Sequence, residues 1–91
     1  MKAGKVASGE FQVEEAIKNY KAYLVILAED ASGGTKKKFM NSCKYYEVPF
    51  IQAYDKETLG SAIGKKQRAV IAILDEGFAN KLNKNLESEV I

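Results

Sequence analysis

Apolar and polar residues alternate along this chain in blocks that predict strands and helices in turn. The longest apolar block, residues 22–28, is a continuous run whose length and content are typical of a strand covered on both faces. It stops at Glu29-Asp30-Ala31-Ser32, and α/β proteins tend to place their functional loops after such strands. A second run, residues 69–74, predicts another buried strand. We therefore expect a sheet with helices on both faces and a functional edge that follows Ala28.

Helical spacing separates these strands. Val13, Ala16, Ile17 and Tyr20 recur every three or four residues, which predicts a helix with Ser8 as its N-cap. The predicted elements are a strand at 5–7, this first helix, the strand 22–28, a helix 36–46 capped by Thr35 and ended by Pro49, a strand 50–54, a helix 56–63 capped by Asp55 and ended by Gly64, the strand 69–74, and a helix from Asp75 to about residue 86. This order predicts an α/β fold, a three-layer α-β-α sandwich in a single domain at residues 1–91.

Composition excludes several classes of function. The 91 residues are 46% hydrophobic and 29% charged, as in soluble globular proteins. No apolar stretch approaches the ~20 residues that span a bilayer, and no signal peptide is visible, so we expect no membrane partner. The chain has no histidine and one cysteine, Cys43, which leaves no catalytic residue, no metal site and no cofactor to predict. Cys43 fits a buried helix stripe, and one cysteine without a disulfide favours the cytoplasm.

Charge patterning identifies candidate contacts for a polyanion, although the net charge is only +2. Basic blocks lie at Lys36-Lys37-Lys38 and Lys65-Lys66-Gln67-Arg68, and such blocks are more often solvated helix faces than binding sites. Around Gly60 and Gly64 two readings stay open: close packing with a C-cap, or a loop that presents Lys65, Lys66 and Arg68 to phosphate.

A helix N-terminus at Ser8-Gly9-Glu10 would also attract phosphate through its unpaired N–H groups. Loops that follow strands 1, 2 and 4, or precede strand 4, can meet at one edge of the sheet. A helix start beside a basic loop at that edge predicts a nucleic-acid footprint.

Several motifs in one order resemble a known family. They are Gly4-Lys5-Val6-Ala7-Ser8-Gly9-Glu10, residues 21–32, Val48-Pro49 and Leu59-Gly60-Ser61-Ala62-Ile63-Gly64. Together they resemble the ribosomal protein L7Ae superfamily, which includes the L30e proteins. Residues 68–79 with Thr35-Lys36-Lys37-Lys38 resemble its small bacterial, ribosome-associated branch. The resemblance implies a mixed four-stranded sheet and recognition of kinked internal loops of RNA, called kink-turns.

The resemblance also implies where RNA binds. The family's Gly-x-Asn-Glu-x-x-Lys segment falls at the start of the first helix, where Gly9 matches the glycine. Phe11 stands at the asparagine, Gln12 at the glutamate and Glu15 at the lysine. Gln12 can still hydrogen-bond a base edge, whereas Glu15 would repel phosphate. The family's second contact is the loop before the last strand, whose basic character here favours backbone contact. The predicted RNA-binding residues are Gly9, Glu10, Phe11, Gln12, Lys36, Lys37, Lys65, Lys66 and Arg68.

Two hypotheses follow from the residues and the resemblance. The first is a non-enzymatic RNA-binding protein associated with the ribosome. The alternative is a protein-interaction module that keeps the fold and has lost RNA recognition, which Phe11 beside acidic residues favours. Family members usually begin with a helix ahead of the Ala-Gly-Lys segment, which is not visible before Ala3. We expect a monomer in which uncovered sheet surface permits weak dimerisation.

Overall fold

The two fully apolar runs form the centre of the sheet. In the computed structural model, which describes residues 5–82, these runs give β2 (Leu24–Leu27) and β4 (Val70–Ile73), every residue of which is buried. The shorter strands β1 (Val6–Ser8) and β3 (Phe50–Gln52) lie at the edges. Strand order is β1-β4-β2-β3. Strand β4 is antiparallel to β1 and β2, whereas β2 and β3 are parallel. The mixed four-stranded sheet is therefore confirmed.

Helices cover both faces of this sheet, because side chains of the buried strands point alternately to each side. Val25 and Leu27 pack in one core with α1 (Glu10–Lys18) and α2 (Gly33–Tyr46). Leu24 and Ile26 pack in a second core with α3 (Lys56–Ala62) and the helical residues 76–82. The predicted three-layer sandwich is confirmed. Residues of the last helix beyond 82 lie outside the described residues.

Strand directions define two ends of the sheet. Strands β1, β2 and β3 end, and β4 begins, at what we call the upper edge; the opposite end is the lower edge. Loops that follow β1, β2 and β3 therefore meet the loop that enters β4. The expectation that the loop after strand 4 joins them is wrong, because the antiparallel β4 leaves the sheet at the lower edge, where Leu74 N–H donates to Lys5 O.

Helix boundaries differ from the prediction at three places. The N-cap of α1 is Gly9, at φ 91°, rather than Ser8, which is the last residue of β1. Helix α2 begins at Gly33, and Ser32 rather than Thr35 is its N-cap, accepting from the Thr35 N–H. Tyr20 does not continue the buried face of α1, because the chain turns at φ 58° and leaves the ring exposed.

The third helix follows its prediction closely. Asp55 caps α3 by accepting from the Thr58 N–H at 2.7 Å, and Gly64 adopts φ 72° just after the helix, as a C-terminal glycine does. Predicted strands 22–28, 50–54 and 69–74 are longer than the observed ones, because the ladder covers only the central residues of the first and last and the first three residues of 50–54. Within residues 5–82 the helices are too short or too polar to cross a bilayer.

Candidate nucleic-acid interface

The start of α1 lies open at the upper edge. Its cap, Gly9, adopts φ 91° and ψ 152° and supplies no side chain to the helix. The first N–H groups of a helix have no partner within it, so those of residues 10–12 are free to meet a ligand there. Gln12 is exposed, and 66% of Phe11 is exposed. Both line a cleft that also includes Glu15 and Asn19. This helix start can donate to an anion and stack a base.

The loop that enters β4 lies directly beside this helix start. The Gly9 N–H donates to Val70 O at 3.3 Å, and Ser8 pairs with Ile71 across the sheet. On the other side of the loop, Ala28 N–H donates to Ala69 O at 2.8 Å. The structure thus brings the N-terminal segment 9–12 and the loop 64–69 together, although some fifty residues separate them in the sequence.

The loop is held in place by a close approach to α3. Lys65 N–H donates to Gly60 O at 2.8 Å, and Arg68 N–H donates to Lys56 O at 3.0 Å. A methyl group on Gly60 would lie 1.6 Å from the Lys66 carbonyl oxygen. The two readings of these glycines are therefore compatible: Gly60 allows close packing, and the loop that it holds leaves Lys65 and Lys66 exposed.

The predicted basic residues differ in how free their charged groups are to meet a ligand. Lys65 and Lys66 are exposed, together with Glu57 along a groove between α3 and the loop. Arg68 is half-buried, and its guanidinium donates to Gln67 O at 2.9 Å. This loop offers two exposed cations and one that is partly fixed.

The second basic block, Lys36-Lys37-Lys38, is divided by its helical geometry. Lys36 Nζ donates to Glu29 O at 2.6 Å and holds the turn after β2. Lys37 is exposed. Lys38 bridges α2 to α1, with its Nζ 3.0 Å from Glu14 and 3.9 Å from Glu10. Lys37 is therefore the exposed lysine of this block that makes no such contact within residues 5–82, and the block does not act as a patch of three free cations.

Lys38 joins α2 to α1, a role that the sequence pattern did not indicate. Its hydrogen bond to Glu14 lowers the pKa of that carboxyl and raises the pKa of Lys38 itself. Glu10 turns toward α2 in the same way and accepts from Thr35 Oγ1 at 3.4 Å. The two helix starts are thus linked side by side, and the Glu10 side chain is part of that link.

Acidic residues at the upper edge serve as helix caps. Asp30 Oδ1 accepts from the Lys56 N–H at 2.8 Å, which fixes the start of α3 beside the end of β2.

Within residues 5–82 there is no cluster of three potential metal ligands. Cys43 is buried in the core, and burial raises its pKa to about 11.

Known proteins similar to this chain include two bacterial relatives. One, named RNA-binding protein YlxQ, from Bacillus subtilis, is 49% identical over 81 residues, which cover 89% of this chain and 81% of the relative. The protein of the same name from Enterococcus faecium is 41% identical and covers 96% and 84%. The large ribosomal subunit protein eL8 of Thermoplasma volcanium is 30% identical over 98% of this chain and 74% of its own length.

A solved structure and a family model agree with these relatives. A protein of unknown function from Bacillus halodurans superposes with a TM-score of 0.89 at 40% identity, covering 93% of this chain and 86% of that one. The model of the ribosomal protein L7Ae/L30e/S12e/Gadd45 family matches residues 1–83. These matches confirm the resemblance noted from the motifs and the expectation that the chain is not an enzyme. The chain belongs to the ribosomal protein L7Ae/L30e/S12e/Gadd45 family.

Proposed function

We propose that this protein binds structured RNA containing a kink-turn-like internal loop, in association with the ribosome and hence in the cytoplasm. Support comes from relatives whose names describe an RNA-binding protein and a large-subunit ribosomal protein. The observation that carries the proposal is the hydrogen bond from Gly9 N–H to Val70 O. It sets a helix start that has no side-chain cap beside a basic loop, and the pairing offers N–H donors and cations to one phosphate backbone.

In this proposal each residue of the upper edge has a distinct role. The amides after Gly9 and the side chain of Gln12 meet base edges or phosphate, and Phe11 stacks on an unpaired base. Lys37, Lys65, Lys66 and Arg68 contact phosphates. Glu10 and Lys36 act through their neighbours, because Glu10 contacts Thr35 and Lys38, and Lys36 holds the Glu29 carbonyl.

The expected affinity depends on salt in a way that follows from these cations. About four phosphate contacts predict a slope of log affinity against log salt of very roughly −3 to −4. A single contact that contributes a slope of about 0.9 raises the affinity by about eightfold at ~0.1 M salt relative to ~1 M. Removing Lys65 and Lys66 together should therefore lower affinity by about 60-fold at ~0.1 M salt.

The test is a titration of a kink-turn RNA, closed by stem-loops and without unpaired extensions, and of a plain duplex of equal length. Both are measured at two salt concentrations with the unmodified chain, the double variant Lys65→Ala/Lys66→Ala and the control Lys44→Ala. Lys44 is exposed in the last turn of α2, which begins at Gly33, and the helical rise places it roughly 17 Å from the start of that helix.

We expect tighter binding to the kink-turn RNA than to the duplex, a flatter salt slope in the double variant and no change in the control. Equal binding to both RNAs would remove the kink-turn from the proposal. Undetectable binding to both would overturn it in favour of the protein-interaction module, for which the exposed ring of Phe11 beside Glu15 is the supporting observation. In that case Glu substitutions at Lys65, Lys66 and Arg68 should leave partner binding intact.

A further inference from the structure

Three tyrosines lie together at the lower edge, remote from the proposed RNA surface. Tyr20 follows α1, and Tyr45 and Tyr46 end α2. The ring centroids of Tyr20 and Tyr46 are 5.6 Å apart, and those of Tyr45 and Tyr46 are 4.8 Å apart; both pairs meet edge to face. We call these residues the tyrosine cluster.

Packing explains only one member of the tyrosine cluster. Tyr46 is partly buried against the core below α1 and α2. In contrast, 71% of Tyr20 and 79% of Tyr45 are exposed. Tyr20 also adopts φ 58°, which is uncommon for a residue other than glycine. The rings meet edge to face, so the cluster is a contiguous aromatic surface of which only Tyr46 packs against the core.

Lysines accompany the cluster on both chain segments. Lys21 follows Tyr20 and Lys44 precedes Tyr45, and both are exposed. Neither makes an ion pair with another residue in the described range 5–82. Two exposed acids lie nearby: Glu47 follows Tyr46 in the sequence, and Glu15 lines a cleft with Lys21. Protein interfaces are enriched in tyrosine but depleted in lysine, whereas surfaces for single-stranded nucleic acid combine aromatic rings with cations. The composition therefore favours RNA as the occupant.

We infer that the tyrosine cluster, with Lys21 and Lys44, binds unpaired RNA that flanks the structured element held at the upper edge. The exposed rings of Tyr20 and Tyr45 stack on bases, and the lysines contact the adjoining phosphates. This inference rests on the proposed function in taking RNA as the ligand, yet Lys44 and Tyr45 lie roughly 17 Å from the start of α2, and Lys21 lines the same cleft as Phe11 and Gln12. Stacking on rings is tolerant of sequence, so the cluster should bind without strong base preference.

The probe is a short, unstructured oligoribonucleotide of uridine and cytidine, titrated into the full chain at fixed salt. The variants are Tyr45→Ala, Tyr45→Phe and Lys44→Glu, and the matched control is Tyr54→Ala. Tyr54 is an exposed tyrosine outside the cluster, at the upper edge, where its carbonyl accepts from Glu29 N–H. Because the Tyr45 ring is largely exposed, its removal should leave the fold intact, which a thermal unfolding curve checks.

We expect Tyr45→Ala to weaken oligonucleotide binding about fivefold or more, with Tyr45→Phe and Tyr54→Ala near the unmodified chain. Lys44→Glu should weaken binding and flatten its salt dependence. The same variants should bind the closed kink-turn RNA normally. If Tyr45-dependent oligonucleotide binding persists while kink-turn binding is absent, the proposed function fails and this inference stands.

Three results would overturn the inference. The first is that the unmodified chain does not bind the oligonucleotide. The second is that Tyr45→Ala and Lys44→Glu bind it as the unmodified chain does, with affinity lost only in Lys65→Ala/Lys66→Ala. The third is that a protein partner depends on Tyr45 while the oligonucleotide does not.

Discussion

The substitution Gly60→Ala probes how the fold holds the loop before β4. A Cβ at this position would lie 1.6 Å from the Lys66 carbonyl oxygen and 2.5 Å from its carbon. Both are backbone atoms, so no side-chain rotation relieves the overlap. Reaching ordinary contact distance requires the loop to retreat by roughly 2 Å. That movement breaks the hydrogen bond from Lys65 N–H to Gly60 O, whose nitrogen and oxygen atoms are 2.8 Å apart.

The size of the effect follows from three contributions. Overpacking a close contact costs about 1–3 kcal/mol, and a lost hydrogen bond costs about 1 kcal/mol. Replacing glycine by alanine inside a helix offsets this by about 1 kcal/mol. We expect Gly60→Ala to lower the free energy of unfolding by about 2 kcal/mol and Tm by about 10 °C for a domain of this size. Affinity for the kink-turn RNA should fall as well, because Lys65 and Lys66 move.

Urea and thermal unfolding, followed by far-UV circular dichroism, measure this change. The matched control is Gly34→Ala, in the first turn of α2, where an added Cβ meets no atom within 4 Å. The same substitution should there raise stability by up to about 1 kcal/mol. Equal or greater stability of Gly60→Ala, with Gly34→Ala behaving as expected, would refute the close contact between α3 and the loop.

Three further predictions concern α3, the core and α1. Asp55→Ala should lower Tm by removing the acceptor of Thr58 N–H, and Asp55→Asn should lower it less. That hydrogen bond lowers the pKa of Asp55 in the folded protein. The stabilisation from the ionised carboxylate should therefore be present above the pKa of Asp55 in the unfolded chain and be lost as pH falls through its pKa in the folded protein. Identical acid unfolding of Asp55→Asn and the unmodified chain would contradict this. Burial raises the pKa of Cys43 from 9.0 to about 11, so stability should fall as pH rises across that interval, and rapid labelling of the native thiol at neutral pH would refute its burial. Glu15→Lys should raise affinity for the kink-turn RNA about eightfold at ~0.1 M salt and steepen the salt slope by about 0.9; an unchanged Kd would place Glu15 away from the phosphates.

Much of the architecture was predictable because it depends on local pattern. Residues 22–28 and 69–74 are apolar without alternation, and only strands covered on both faces require that. Asp55 and Gly64 marked the ends of α3 correctly, since a cap and a left-handed glycine act within a few residues of the helix. Ser8 was a wrong N-cap because it pairs with Ile71 in the sheet, a tertiary constraint that overrides its local preference.

The candidate site depends more on contacts that are distant in sequence. The proximity of Gly9 to the loop before β4 follows from strand order, which alternation alone does not specify. The block Lys36-Lys37-Lys38 reads as uniform charge, yet helical rotation sends Lys38 to Glu14 and leaves Lys37 exposed. An ion pair between two helices that lie far apart in sequence, such as Lys38 with Glu14, gives no local signal. Tyr20 similarly matched a helical stripe until the chain turned at the end of α1.

The central claim is that structured RNA binds the upper edge through the start of α1 and the loop before β4. Amide chemical-shift mapping of the isotopically labelled chain with the closed kink-turn RNA tests it most directly. We predict that the largest shifts fall on residues 9–12 and 64–69, with Lys37 also affected and Lys44 unchanged. Shifts centred instead on α3 and residues 76–82, or none at saturating RNA, would contradict the claim.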